Sequence, residues 1–210
     1  MASRKASLPP WTLGVDLSED PQDDPALELR ERGDLDGAER VARKALAKVV
    51  ARHGPDHPDT LALRDSLAAT LMYAGRIKEA EVMVRESGML SLMTYGPDDP
   101  GTNSRMMNKA IVGFQMGYLD DAEKIFQLVY EFRFSTRGPD DPQTLLVRIC
   151  QAVLRAERGQ VRQAVDDLLE ILRVAERGAP PGDPVVMLAK HNLKAASARL
   201  GSGKGPGLDG

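Results

Sequence analysis

The chain is predicted to be an all-α solenoid of antiparallel helical hairpins, and three observations carry that prediction. Gly33, Gly75, Gly117 and Gly159 stand 42 residues apart, with Gly201 at the same interval, which is the mark of a repeat architecture. Each of the first four opens one phrase: Gly33-Asp-Leu-Asp-Gly-Ala38-Glu39, Gly75-Arg-Ile-Lys-Glu-Ala80-Glu81, Gly117-Tyr-Leu-Asp-Asp-Ala122-Glu123 and Gly159-Gln-Val-Arg-Gln-Ala164. A second phrase keeps the same period: Gly54-Pro-Asp-His-Pro58-Asp-Thr60-Leu61, Gly96-Pro-Asp-Asp-Pro100-Gly-Thr102 and Gly138-Pro-Asp-Asp-Pro142-Gln-Thr144-Leu145, with a degraded fourth copy at Pro180-Pro-Gly-Asp-Pro184. Thirdly, the segments between the marks carry apolar residues at helical spacing, as at Ala38, Val41, Ala42, Ala45 and Val49.

The chemistry of the two phrases reads as helix end, then helix start. Gly54, Gly96 and Gly138 suit a left-handed residue just past a helix, and His57, Asp99, Asp141 and Asp183 each precede a proline that fits the first helical turn, where its missing N–H costs nothing. The small alanine after each turn glycine lets two helices approach closely. In chain order, residues 1–24 are expected to be a flexible acidic arm. Residues 25–200 form the solenoid, in units 33–74, 75–116, 117–158 and 159–200, and residues 201–210 a flexible Gly-rich tail. The first hairpin looks short, with only Pro25 to Arg32 before Gly33.

Composition narrows the function classes. The chain has 210 residues, is 42% hydrophobic and only 4% aromatic, and carries a formal net charge of -3 at a pI near 5.7. That balance points away from nucleic acid and from an anionic membrane as partners. One cysteine, Cys150, fits a reducing compartment, and the lack of a long apolar run leads to a cytoplasmic expectation. No cofactor, metal or catalytic constellation is expected: His53, His57 and His191 have no Cys/His partner at metal spacing. His57 holds a position that is aspartate in the other copies and reads as a helix-start residue. Cys150 lies within an apolar helix and reads as a small buried hydrophobe. The tail's likeness to a phosphate loop fails, since Ala198 and Gly205 stand where the motif needs Gly and Ser or Thr.

The alternation of Gly-Pro-Asp-(His/Asp)-Pro-x-Thr with Gly-x-x-x-(Glu/Asp/Gln)-Ala-Glu at this period resembles the tetratricopeptide repeats of kinesin light chains and their bacterial and fungal relatives. The resemblance covers roughly residues 33–200 and implies a right-handed superhelix whose first helices line a concave peptide groove. Counting back from each turn glycine, it implies groove positions at Ala62, Asp65, Ala69 and Met72, then Ser104, Met107, Ile111 and Phe114. The next two helices give Leu146, Ile149, Val153 and Ala156, then Leu188, His191, Ala195 and Ala198. Tyr73, Gln115 and Glu157 flank them. An Asn that anchors bound peptide in the family maps onto Ser66, Asn108, Cys150 and Asn192, so Asn108 and Asn192 carry over. The family's carboxylate clamp does not, because Asp65 and Ala69 stand where it needs Lys and Asn.

Apolar Met107, Ile111, Ile149 and Val153 at groove positions, with Lys109, Gly113, Gln151 and Arg155 at core positions, leave two alternatives open. Either the helices are rotated so that the apolar set faces the core, or the groove has an apolar floor. On the second alternative, the arm's Trp11, Leu13 and Leu17 could dock in that floor or in a neighbour's. Arg40, Lys44, Lys48 and Arg52 form an i, i+4 stripe that reads as a solvated face or as a site for an acidic partner, the chain's own arm included. The expected function is a non-catalytic scaffold or adaptor that binds a protein or peptide in the groove. Alternatives are a stand-alone sensor of a small peptide or metabolite, and an enzyme using the groove as a pocket. Homo-oligomer formation is open.

Overall fold

Two kinds of turn recur, and between them they set the boundaries of α2 through α7. The computed structural model describes residues 24–202, which contain nine α-helices and no strand. These are α1 Leu27–Glu31, α2 Leu35–His53, α3 Pro58–Tyr73, α4 Ile77–Tyr95, α5 Pro100–Gln115, α6 Leu119–Arg137, α7 Pro142–Glu157, α8 Val161–Ala175 and α9 Pro184–Ser202. Gly75, at φ 74°, makes the tight turn inside a hairpin, and Gly96, at φ 85° and ψ 176°, ends α4 in a conformation open to glycine.

The helix starts are capped as their sequence implies. The Asp99 carboxylate accepts the Thr102 N–H at 2.7 Å, Asp141 accepts the Gln143 N–H at 2.9 Å, and Asp183 accepts the Val186 N–H at 2.9 Å. His57 performs the same task with Nδ1, which accepts the Asp59 N–H at 3.3 Å. Gly201 is no hairpin turn. It lies inside α9, which runs on through Ser202.

The described chain divides within α6 into two units, residues 24–132 and 133–202. In the first, α3 packs against α1, α2, α4 and α5, and α4 also against α5. Its apolar cluster joins Ala26, Ala38, Ala42, Leu67, Ala68, Leu71, Ala80, Val84 and Val112. In the second, α7 packs against α8 and α9, and α8 against α9. Ala38, Ala80, Ala122 and Ala164, one after each turn glycine, are at most 1% exposed, as close helix approach demands. Residues 1–23, which hold Trp11, Leu13 and Leu17, and residues 203–210 of the tail lie outside the described residues.

Candidate interaction surface

Burial along the first helix of each hairpin separates core from surface. Met107, Ile111, Ile149 and Val153 are each 0% exposed, whereas Lys109 and Arg155 are exposed. The rotated-helix alternative is the one observed. No apolar floor is open to a partner at those positions, nor to Trp11, Leu13 and Leu17. The physical reason is that a helix flanked on both sides in a stack has only a narrow free strip, and the apolar residues take the covered positions. Lys109, Gln151 and Arg155 then occupy the outer strip, where Arg155 pairs with Asp167 of α8.

Asp65 also belongs to the interior. Its carboxylate accepts the Ser87 hydroxyl at 2.9 Å and faces Arg105 Nε at 3.2 Å, an ion pair in which both side chains are at most 10% exposed. Arg105 Nε does not reach hydrogen-bond geometry there, so the contact is chiefly electrostatic. The same guanidinium donates to Ser91 Oγ at 3.5 Å, and Ser91 in turn shares a 2.8 Å hydrogen bond with Thr102. A polar thread thus runs from α3 through α4 to the start of α5.

The positions that the resemblance marks as a peptide anchor form a buried series instead. Ser66, Asn108, Cys150 and Asn192 are all at most 2% exposed. Asp24 holds the same repeat position one hairpin earlier. It accepts the Ser66 hydroxyl at 2.5 Å and pairs with Arg30, whose guanidinium also donates to Ser66 and to Thr70 Oγ1 at 3.3 Å. Asn192 donates to the Leu188 carbonyl at 3.0 Å. Asp24, Arg30 and Ser66 thus tie α1 to α3, the Asn192 bond stays within α9, and all four positions of the series are buried.

The accessible candidates gather at the hairpin turns. In the first unit, Met72 and Tyr73 end α3, Phe114 and Gln115 end α5, and Tyr118 follows the next turn; Tyr73 is 44% and Tyr118 55% exposed, Gln115 is exposed, and Met72 and Phe114 are half-buried. Because α3 and α5 run in the same direction as repeat equivalents, their ends lie on one edge. That edge holds three aromatic rings of a chain with few. Tyr118 escaped the sequence reading although it stands where the other phrases have Asp34, Arg76 and Gln160, so an aromatic at a polar position was the available signal. Met89, Leu92 and Met93 of α4 form a second exposed apolar patch at i, i+3, i+4 spacing, also unforeseen.

In the second unit, Glu157 is half-buried and accepts Arg199 Nη1 at 2.5 Å. His191 is exposed on α9, in the repeat position that Met107 and Ile149 fill in α5 and α7. Lys190, Lys194 and Ala198 are exposed with it, as are Met187 and Leu200 of the same helix.

Among the described residues, no group of His, Cys, Asp and Glu is arranged to hold a metal ion. His53 and His57 stack with ring centroids 4.5 Å apart. No helix of the described residues is long and apolar enough to cross a membrane.

Residues 26–59 match the tetratricopeptide repeat family. No curated protein matches the chain significantly. Among solved structures, the chain is similar to a protein of Podosopora anserina described as a kinesin light chain with nearly identical TPR-like repeats, at 19% identity over 88% of this chain and 90% of that one, with a TM-score of 0.67. A point variant of that protein gives 19% identity over 91% and 90%, with a TM-score of 0.69. BtubC (BKLC) from P. vanneervenii gives 20% identity over 84% of this chain and 70% of that one, with a TM-score of 0.67. At these identities the likeness shows the fold, a stack of tetratricopeptide-type hairpins of the kinesin light chain kind.

Proposed function

We propose that the chain is a non-catalytic scaffold or adaptor that holds a protein or peptide at the turn edge of residues 24–132. The observation that carries this reading is the aromatic edge of exposed Tyr73 and Tyr118 with half-buried Phe114, in a chain otherwise packed with Ala, Leu, Val and Met. Tyrosine supplies large contact area with few rotatable bonds and a polar tip, which is why it is enriched where protein surfaces meet. Tetratricopeptide repeats are in general interaction scaffolds, and fold alone does not name the partner. A buried free thiol, Cys150, suits work in a reducing compartment such as the cytoplasm.

The test is peptide selection against the intact chain. Selected peptides are expected to bind the wild type and to lose at least about tenfold in affinity against a Tyr73→Ala/Tyr118→Ala variant, equivalent to about 1.4 kcal/mol, with the melting curve unchanged. Peptides that bind both proteins equally would refute this edge as the site.

A further inference from the structure

The first hairpin is half a hairpin among the described residues. Its first helix, α1, has 5 residues where α3, α5 and α7 each have 16. A shift by one repeat lays α3 onto residues 16–31, and Pro25 stands two residues before Leu27, where α1 begins.

On α2, Arg40, Lys44, Lys48 and Arg52 recur one per turn. All four are exposed, and none is paired among the described residues.

In hairpins two and four, first and second helices exchange charge at this level, whereas hairpin three carries Met106 and Leu128 there. Arg64 of α3 donates to Glu86 of α4 at 2.6 Å, and Arg148 of α7 to Glu170 of α8 at 3.0 Å. Both pairs are 22 residues apart, and both map by the repeat onto Gln22 and Lys44. The neighbouring contact of Asp65 with Ser87 maps onto Asp23 and Ala45.

The sign is reversed in the first hairpin. A lysine replaces the glutamate of the second helix, and the segment 16–23 replaces the arginine with Asp16, Glu19, Asp20 and Asp23 and no cation. By the repeat, Gln22 and Asp23 correspond to Arg64 and Asp65 and Lys44 to Glu86; Asp16, Glu19 and Asp20 precede them in the sequence as Lys48 and Arg52 follow Lys44. The chain is already held at the right place: Asp24 is tied to Ser66 and Arg30, and Ala26 joins Ala38 and Ala42 of α2 in one apolar cluster.

We propose that residues 16–23 dock along the cationic face of α2 as the missing half of the first hairpin. The occupant of that face is then the chain's own acidic segment, held by a charge-swapped version of the pairs seen in hairpins two and four.

A disulfide test decides it in the full-length protein. Asp20→Cys with Lys48→Cys is expected to oxidise within one molecule at least about tenfold faster than a control pair, Asp20→Cys with Lys78→Cys, because docking raises the local concentration. Salt at 1 M, where the screening length is about 3 Å, is expected to slow the reaction. Adding Lys44→Glu and Arg52→Glu is expected to abolish the advantage, and combining them with Asp16→Lys and Asp23→Lys to restore it. Native Cys150 is buried and does not compete, and helicity measured on each variant confirms folding. Rates equal to the control, cross-links only between molecules, or indifference to charge reversal would each overturn the proposal.

Discussion

Replacing Asp65 by Ala separates the two roles that residue could have. If Asp65 faced a ligand groove, its loss would weaken binding and spare stability. As the partner of Arg105, with both side chains at most 10% exposed and the Ser87 hydroxyl bonded to the same carboxylate at 2.9 Å, its loss strands a guanidinium in the interior. Breaking one side of a buried pair costs about 3–5 kcal/mol, whereas replacing both partners by apolar residues of similar size is about neutral or stabilising. For a chain of this length each kcal/mol moves the melting temperature by about 2–4 °C, so about 3 kcal/mol corresponds to a fall of about 6–12 °C. The assay is helicity against temperature and against urea for Asp65→Ala, Arg105→Met and the pair Asp65→Leu/Arg105→Met. The expected order is both single variants well below wild type, with the double variant within about 1 kcal/mol of it. A single Asp65→Ala cost below about 1 kcal/mol, the range of an exposed pair, would refute the interior role. So would a double variant no better than the single.

Four further outcomes follow from the same structure. Ile111→Ala should cost about 2–5 kcal/mol by opening a cavity, while Lys109→Ala two residues away should stay within about 0.5 kcal/mol; urea midpoints of the pair check which face is core. Gly96→Ala should cost about 1–3 kcal/mol, because φ 85° strains any residue with a Cβ. Gly113→Ala, whose added Cβ meets nothing within 4 Å inside α5, should stabilise by about 0.4–1 kcal/mol. Finally, the Arg43 guanidinium, hydrogen-bonded to Glu39, holds that carboxyl below its ordinary value, burial opposing and Arg76 adding to the effect. A carboxyl with a lowered folded-state pKa contributes stability that is fully present above its unfolded pKa and is lost as pH falls through the folded one. Glu39→Gln should therefore be less stable than wild type at pH 7, with the gap closing as pH falls below about 4. A gap that stays constant from pH 7 to pH 3 would contradict this.

The fold was legible because its signals are local. Glycine at a turn, aspartate before proline and alanine after the turn each act within a few residues, and each recurs with the period. His57 as a cap was readable for the same reason, since it shares its position with Asp99 and Asp141. The candidate site was much less legible. Counting from the turn glycine assigned Asp65, Met107, Ile111, Ile149 and Val153 to a groove, and the family's anchoring Asn added Asn108 and Asn192; all are buried. Met72, Tyr73, Phe114, Gln115, Glu157 and His191 kept some exposure, chiefly near hairpin ends or on the last helix. Apolar residues at Met107 and Ile149 had already hinted at the rotation, but a helix in a stack is apolar on two flanks, and sequence period alone does not say which strip between them stays free.

The sequence by itself determined the repeat and the chemistry of the turns at Gly75, Gly96, Gly117 and Gly138, because those depend on backbone conformations that particular residues favour. Only the tertiary structure decided which face of each first helix is covered, that Asp65 meets Arg105 forty residues away, and that Asp24 reaches Ser66 across one full repeat. Those contacts depend on the angle at which one hairpin lies on the next. That angle is settled by many small packing energies summed over the interface, which no single residue in the 42-residue phrase encodes.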